Sequence, residues 1–236
     1  MKAEFNNERK EKEANLEIDR RSFILSLVAS FLMRKKDSFA KEAESGPLPK
    51  GAVLFAEKLN KIKRGEVHEK MGKIVWVEDI MKEKLPIPDP KKVLGADRGL
   101  VISKRFHRFW LFDEGKLVLH GPVGTAYEKR GYKTPVGKFR VLRKEGKNYS
   151  SKEYPPNSPL EPNMPWAVFF TKKGHAFHGA PGVFGEFNIS PEPEKNPKWK
   201  LFMRLDVSHG CANALTFQAK KVNKTLKPND PIVVLP

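Results

Sequence analysis

From about Leu94 to the C-terminus, short apolar runs alternate with turn residues. LVISKRF (100–106) has the texture of a strand. FWLF-DEG-KLVLHG (109–121) is a hairpin turning at Asp113-Glu114-Gly115. KFRVLRK (138–144) follows a corner at Thr134-Pro135-Val136-Gly137. WAVFFTKKGHAFHG (166–179) is a second hairpin, turning at Lys172-Lys173-Gly174, and KPNDPIVVLP closes the chain as a turn and a strand. The pattern predicts a mainly β domain, sandwich or barrel, with short helices.

Upstream the periodicity differs. Residues 52–84 carry Val53, Leu54, Ala56, Leu59 and Ile62 at spacings of one or two short helices, after a polar Gly/Pro linker (EAESGPLPK, 42–50). Pro86, Pro88 and Pro90 break regular structure, and a domain boundary is expected near Leu94. This divides the chain into an export signal (1–40), a linker with a short helical segment (41–96) and a β domain (97–236).

The signal rests on the apolar run FILSLVASFLM (23–33), eleven residues long. As a helix it rises roughly 16 Å, well short of a ~30 Å hydrocarbon core, so it fits a signal-peptide core better than a membrane span. Arg20-Arg21-Ser22-Phe23-Ile24 resembles a twin-arginine export signal. Ser38-Phe39-Ala40 offers small residues for a peptidase. Export to the periplasm or cell envelope is expected. The alternatives are an uncleaved anchor held by Arg34, Lys35 and Lys36, or a short amphipathic helix.

Charge narrows the partners without choosing one. The net formal charge is +17, and the first forty residues hold nine basic and seven acidic residues, so the excess belongs to the body. Such a field favours a polyanion: nucleic acid, an anionic membrane or a carboxylate-rich cell wall. The basic residues are dispersed, without a nucleic-acid fold signature, so no nucleic acid is expected.

Candidate chemistry centres on the single cysteine, Cys211, within Ser208-His209-Gly210-Cys211-Ala212-Asn213. A lone cysteine makes no internal disulfide and, by itself, is as well explained as a small buried hydrophobe. A reactive thiol needs an imidazole or backbone N–H groups close by. The helix-compatible ALTFQAKKVNKTL (214–226) predicts Cys211 near a helix N-terminus, and the N–H groups of Gly210 and Cys211 form a candidate oxyanion hole. His68, His107 and His175 show no metal-ligand spacing, one cysteine excludes Cys-rich zinc sites, and no cofactor is expected.

These residues resemble the L,D-transpeptidases with the YkuD-type catalytic domain. Their signature is a His followed, after a gap, by Ser/Thr-His-Gly-Cys, an aliphatic residue and Arg or Asn. Thr134-Pro135-Val136-Gly137-Lys138-Phe139 is similar to the family's TP-x-G-x-F corner. Met164-Pro165-Trp166 with Ala176-Phe177-His178-Gly179 is similar to its approach to the first His. The likeness covers roughly residues 97–236. It implies Cys211 as nucleophile, His178 as general acid/base, Ser208, His209 and Gly210 as supporting or oxyanion residues, and Asn213 and Trp166 as substrate contacts. His120, in a similar His-Gly context, is expected to be structural or at the surface.

The implied substrate is the peptidoglycan tetrapeptide stem, with another stem, a free D-amino acid or a lipoprotein lysine as acceptor. Water as acceptor would make an L,D-carboxypeptidase. A basic binding module with a vestigial site, and a Cys-His protease, are the competing readings. The departures are the small Ala212 and the 29 residues between His178 and Ser208, with Pro191, Pro193, Pro197 and Trp199, expected to form an inserted loop over the site.

Overall fold

The computed structural model describes residues 46–62, 74–126, 128, 131–151, 163–188, 198–205 and 208–236. All described residues lie in one compact unit, Ala43–Pro236. The expected export signal, His68, Pro191, Pro193 and Pro197 lie outside the described residues.

The described unit is mainly β. Its largest sheet has five strands: β2 (Gly99–Ser103), β3 (Arg108–Asp113), β4 (Lys116–Pro122), β5 (Gly137–Arg140) and the C-terminal β12 (Pro231–Leu235), in the order β4-β3-β2-β12-β5. The β3–β4 hairpin turns where the acidic-Gly pattern predicts, with Glu114 and Gly115 both at positive φ (50° and 73°). The last strand runs parallel to β2, so the chain end completes the centre of the sheet.

Both faces of this sheet are buried at its inner strands, which explains why β2 and β12 are apolar without alternation, whereas β4 leaves Lys116, Val118 and His120 exposed. Leu100, Ile102, Phe109, Leu111, Ile232 and Val234 enter one core. Val101, Trp110, Phe112, Val233 and Leu235 enter the other, together with Ala52, Phe55, Ala56 and Leu59 of α1 (Lys50–Asn60) and Val93 and Leu94 of the short helix Pro90–Leu94. The buried stripe of α1 is therefore 52, 55, 56 and 59, while Val53 and Leu54 stay 40% and 57% exposed.

The first core is closed by a four-stranded sheet: β6 (Arg143–Lys144), β7 (Val168–Phe169), β8 (Ala176–Gly179) and β11 (Ala212–Ala214), in the order β11-β8-β7-β6. The helix Thr216–Thr225 lies with it, burying Ala219 and Val222. Lys144 Nζ donates to the carbonyls of Asn223 (2.8 Å) and Leu226 (2.7 Å), capping that helix's C-terminal end.

The residues between His178 and Ser208 correct an expectation. They contain two strands, β9 (Phe184–Asn188) and β10 (Trp199–Arg204), paired antiparallel, rather than an irregular loop throughout. On its other edge β10 pairs with β1 (Ile74–Trp76), making a third sheet in the order β1-β10-β9. Val75, Val77, Ile80, Val183, Phe184, Met203 and Leu205 form its own core. A two-stranded hairpin is marginal alone, and the upstream strand with its following helix (Val77–Met81) supplies the missing surface.

Candidate active site

The site is built on the parallel pair β8–β11. Its register sets Ala212 beside Phe177, Asn213 beside His178 and Ala214 beside Gly179. Phe177, Ala212 and Ala214 sit in the core. Strand alternation turns His178 and Asn213 to the opposite face, where both remain buried. Cys211, half-buried, stands immediately before this strand.

The turn that delivers Cys211 is closed by Ser208. Its Oγ donates to the Cys211 carbonyl (2.6 Å) and accepts from the Gly210 N–H (3.1 Å). Ser208 N–H donates to Thr125 O (3.1 Å), and Ala126 N–H donates to Thr134 Oγ1 (2.9 Å), so the Thr-Pro corner braces the turn from below. Asn213 and Gly124 exchange both backbone bonds at 2.8 Å. The Asn213 Oδ1 is buried and accepts no hydrogen bond.

One expectation from the sequence is corrected here. Cys211 is not at a helix N-terminus: residues 212–214 pair as a strand, Leu215 is extended (φ −60°, ψ 140°), and the helix starts only at Thr216. Pairing with β8 on one side and Gly124 on the other overrides the local helix preference. The helix dipole falls off within its first turn and does not reach the sulfur directly.

His178 has a defined orientation. Its Nδ1 lies 2.7 Å from Gly179 O and, facing a carbonyl, must carry the proton. The neutral ring then has an unprotonated Nε2, the form a general base requires. Burial, only partly opposed by the Gly179 bond, pushes this imidazole down from 6.5 to about 4, so it is neutral at pH 7.

A second buried imidazole lies at the same turn, and nothing in the sequence distinguished it. His175 ends the β7–β8 turn, with Nδ1 2.8 Å from Thr171 Oγ1, the same oxygen that accepts its backbone N–H at 3.0 Å. Burial, then the Lys173 charge, lower it to about 4. Its ring lies against Gly210: a Cβ there would stand 2.5 Å from His175 Cδ2 and 2.7 Å from Nε2. Gly210 also has φ +137°, so glycine is required on both counts. The Cys211 thiol donates to Gly174 O at 3.9 Å in the same β-turn.

The remaining candidates lie around this centre. His209 is exposed, its ring edge against Tyr132 at 4.3 Å. His120 is exposed on β4, opposite Trp110. The half-buried Trp166 carries the ammonium groups of Lys220 (5.6 Å) and Lys224 (5.5 Å) over its ring. Among the described residues no cluster of three or more His, Cys, Asp or Glu can hold a metal ion.

The fold is mainly β and sets the buried His178 on the strand paired with the one that its single cysteine precedes. The chain is a member of the YkuD family, the L,D-transpeptidase catalytic domain, which it matches over residues 97–234. No curated protein matches it. An L,D-transpeptidase from Mycobacterium smegmatis is similar at 23% identity, over 60% of this chain and 59% of that one, with a TM-score of 0.43. One from Mycobacterium tuberculosis H37Rv is 23% identical over 59% and 58%, with a TM-score of 0.44. One from Stackebrandtia nassauensis is 22% identical over 60% and 56%, with a TM-score of 0.42. The chain spans less than two thirds of the length of these proteins.

Proposed function

We propose that this chain is a cell-wall acyltransferase that works through a thioester on Cys211. His178 Nε2 takes the thiol proton as sulfur attacks the carbonyl of the diamino acid at position three of a tetrapeptide stem. The tetrahedral intermediate collapses when the same imidazole returns that proton to the D-Ala nitrogen, and D-Ala leaves. An amine then attacks the thioester, gives its proton to His178 and releases the thiol. Another stem, a free D-amino acid or a lipoprotein lysine serves as the amine; water in its place gives the L,D-carboxypeptidase outcome.

The observation that carries this reading is the His178–Gly179 hydrogen bond at 2.7 Å, which fixes a base-competent tautomer on the strand paired with the one Cys211 leads. The Asn213 Oδ1, buried in register with His178 and accepting no hydrogen bond, is a ready acceptor for a stem N–H. The basic surface suits a carboxylate-rich polymer. The export signal at 1–40 would place the enzyme where that polymer lies. Incubation with purified disaccharide-tetrapeptide, read by mass spectrometry, tests the proposal. Loss of D-Ala with a new amide or a free tripeptide is expected, and an unchanged stem would refute it.

A further inference from the structure

The mechanism above leaves one exposed helix face unused. The helix Thr216–Thr225 buries Gln218, Ala219, Val222 and Asn223 and turns Phe217, Lys220, Lys221 and Lys224 to solvent. Those four positions are spaced three and four apart, so they form one continuous ridge. Phe217 is 65% exposed, and no large apolar side chain among the described residues is more so.

The charge on this ridge is uncompensated. Residues 212–229 hold four lysines and no Asp or Glu. Elsewhere on the surface lysines meet carboxylates, as Lys82 meets Asp79, Lys91 meets Asp97 and Lys104 meets Glu128. Lys220 and Lys224 instead lie over the ring of Trp166, 5.6 and 5.5 Å from its centroid. Trp166 itself has φ +60°, a costly backbone for a bulky residue, with its N–H held on Gly146 O at 2.9 Å.

The ridge adjoins the catalytic residues. A Cβ on Gly179 would stand 3.0 Å from Thr216 Cα and 3.0 Å from Pro165 Cγ, the sequence neighbours of Phe217 and Trp166. Gly179 O in turn accepts the His178 Nδ1 proton at 2.7 Å. The base, Gly179 and the start of the ridge are thus in direct succession.

We propose that this ridge is an exosite for the wall polymer, a sugar strand bearing acidic peptides, outside the cleft that holds Cys211. This rests on the acyl-transfer reading, and it deepens it. The lysines pair with carboxylates of stems that are not being cut, and the Phe217 ring offers a flat apolar surface to a sugar ring. A bilayer fits less well, because the ridge has one apolar side chain to insert and the Trp166 ring carries ammonium groups. Each exposed contact is weak alone, so retention depends on several at once along a repeating chain. A polymer gains from the ridge; a short fragment seated in the cleft does not.

The test compares polymer with fragment. Cys211→Ala protein is co-sedimented with purified, protein-free insoluble walls at rising salt, and with vesicles of equal parts phosphatidylglycerol and phosphatidylcholine. Walls should retain the protein and salt should release it. Adding Lys220→Gln/Lys221→Gln/Lys224→Gln should weaken wall binding roughly tenfold, and adding Phe217→Ser about threefold. Walls whose carboxylates have been amidated should hold the parent as weakly as intact walls hold the triple-lysine variant. With Cys211 restored, both sets of substitutions should leave D-Ala release from soluble disaccharide-tetrapeptide at the parent rate. Release from dilute intact walls should fall by the same factor as binding.

The substituted side chains face solvent, so thermal midpoints should stay close to that of the parent. Undiminished wall binding by the triple-lysine variant, or full retention on amidated walls, overturns the proposal. Binding to vesicles and not to walls makes the ridge a membrane contact and equally overturns it. An equal loss of turnover on fragment and wall puts the ridge in the cleft itself, which also overturns it. A parent that binds walls through this ridge and releases no D-Ala from either substrate overturns the acyl-transfer reading and leaves the exosite standing.

Discussion

Mild acid should weaken this fold through its two buried imidazoles. His175 and His178 sit near 4 in the folded chain, against about 6.5 in an unfolded one. A depressed base contributes its stability fully above pH 6.5 and loses it as pH falls toward 4, because only the unfolded chain takes up the proton in that interval. Each such histidine costs about 1.4 kcal/mol per pH unit there. Two together remove roughly 4 kcal/mol between pH 7 and pH 5, a large part of the roughly 5–15 kcal/mol that holds a domain.

Urea unfolding followed by tryptophan fluorescence at pH 7 and pH 5 measures this directly, with the slope checked for two-state behaviour. The midpoint should fall sharply at pH 5 for the parent and much less for His175→Gln/His178→Gln, whatever the absolute stability of that variant. A parent midpoint that does not move, or an equal drop in the variant, would refute the assignment of these rings as buried and neutral.

Four further outcomes are expected. Cys211→Ala should fold as the parent does and release no D-Ala from stems, by mass; retained turnover would end the nucleophile assignment. The pH profile of thiol alkylation, clean because Cys211 is the only cysteine, should move toward that of an ordinary cysteine in His178→Ala and not in His209→Ala or His120→Ala. Gly210→Ala should lose roughly 1–3 kcal/mol by urea midpoint, along with alkylation rate, because its Cβ meets the His175 ring at 2.5 Å on a backbone at φ +137°. Replacing Arg20 and Arg21 with lysine should leave precursor in the cytoplasm of an expressing cell, whereas unchanged export would point to the general secretory route.

Much of the architecture was legible along the chain because local chemistry determines it. An acidic pair and a glycine at positive φ make the β3–β4 turn; Lys-Lys-Gly makes the β7–β8 turn. Continuous apolar runs at Leu100–Ile102 and Ile232–Leu235 mark strands buried on both faces. The order of the His178 segment and the Ser208–Asn213 motif carried the family. The helix 216–225 was legible too, though its start was not, since strand pairing of Ala212–Ala214 depends on a partner far away in sequence.

Tertiary structure decided the rest, for one physical reason: long-range pairing and burial depend on which segments meet. No local pattern couples Ile74–Trp76 to a strand near residue 200, yet their pairing turns an apparent insertion into a third sheet with its own core. Nor does one distinguish His175 from the other histidines. Only the folded turn buries the His175 imidazole against Gly210, next to Cys211, where loss of water holds the ring neutral.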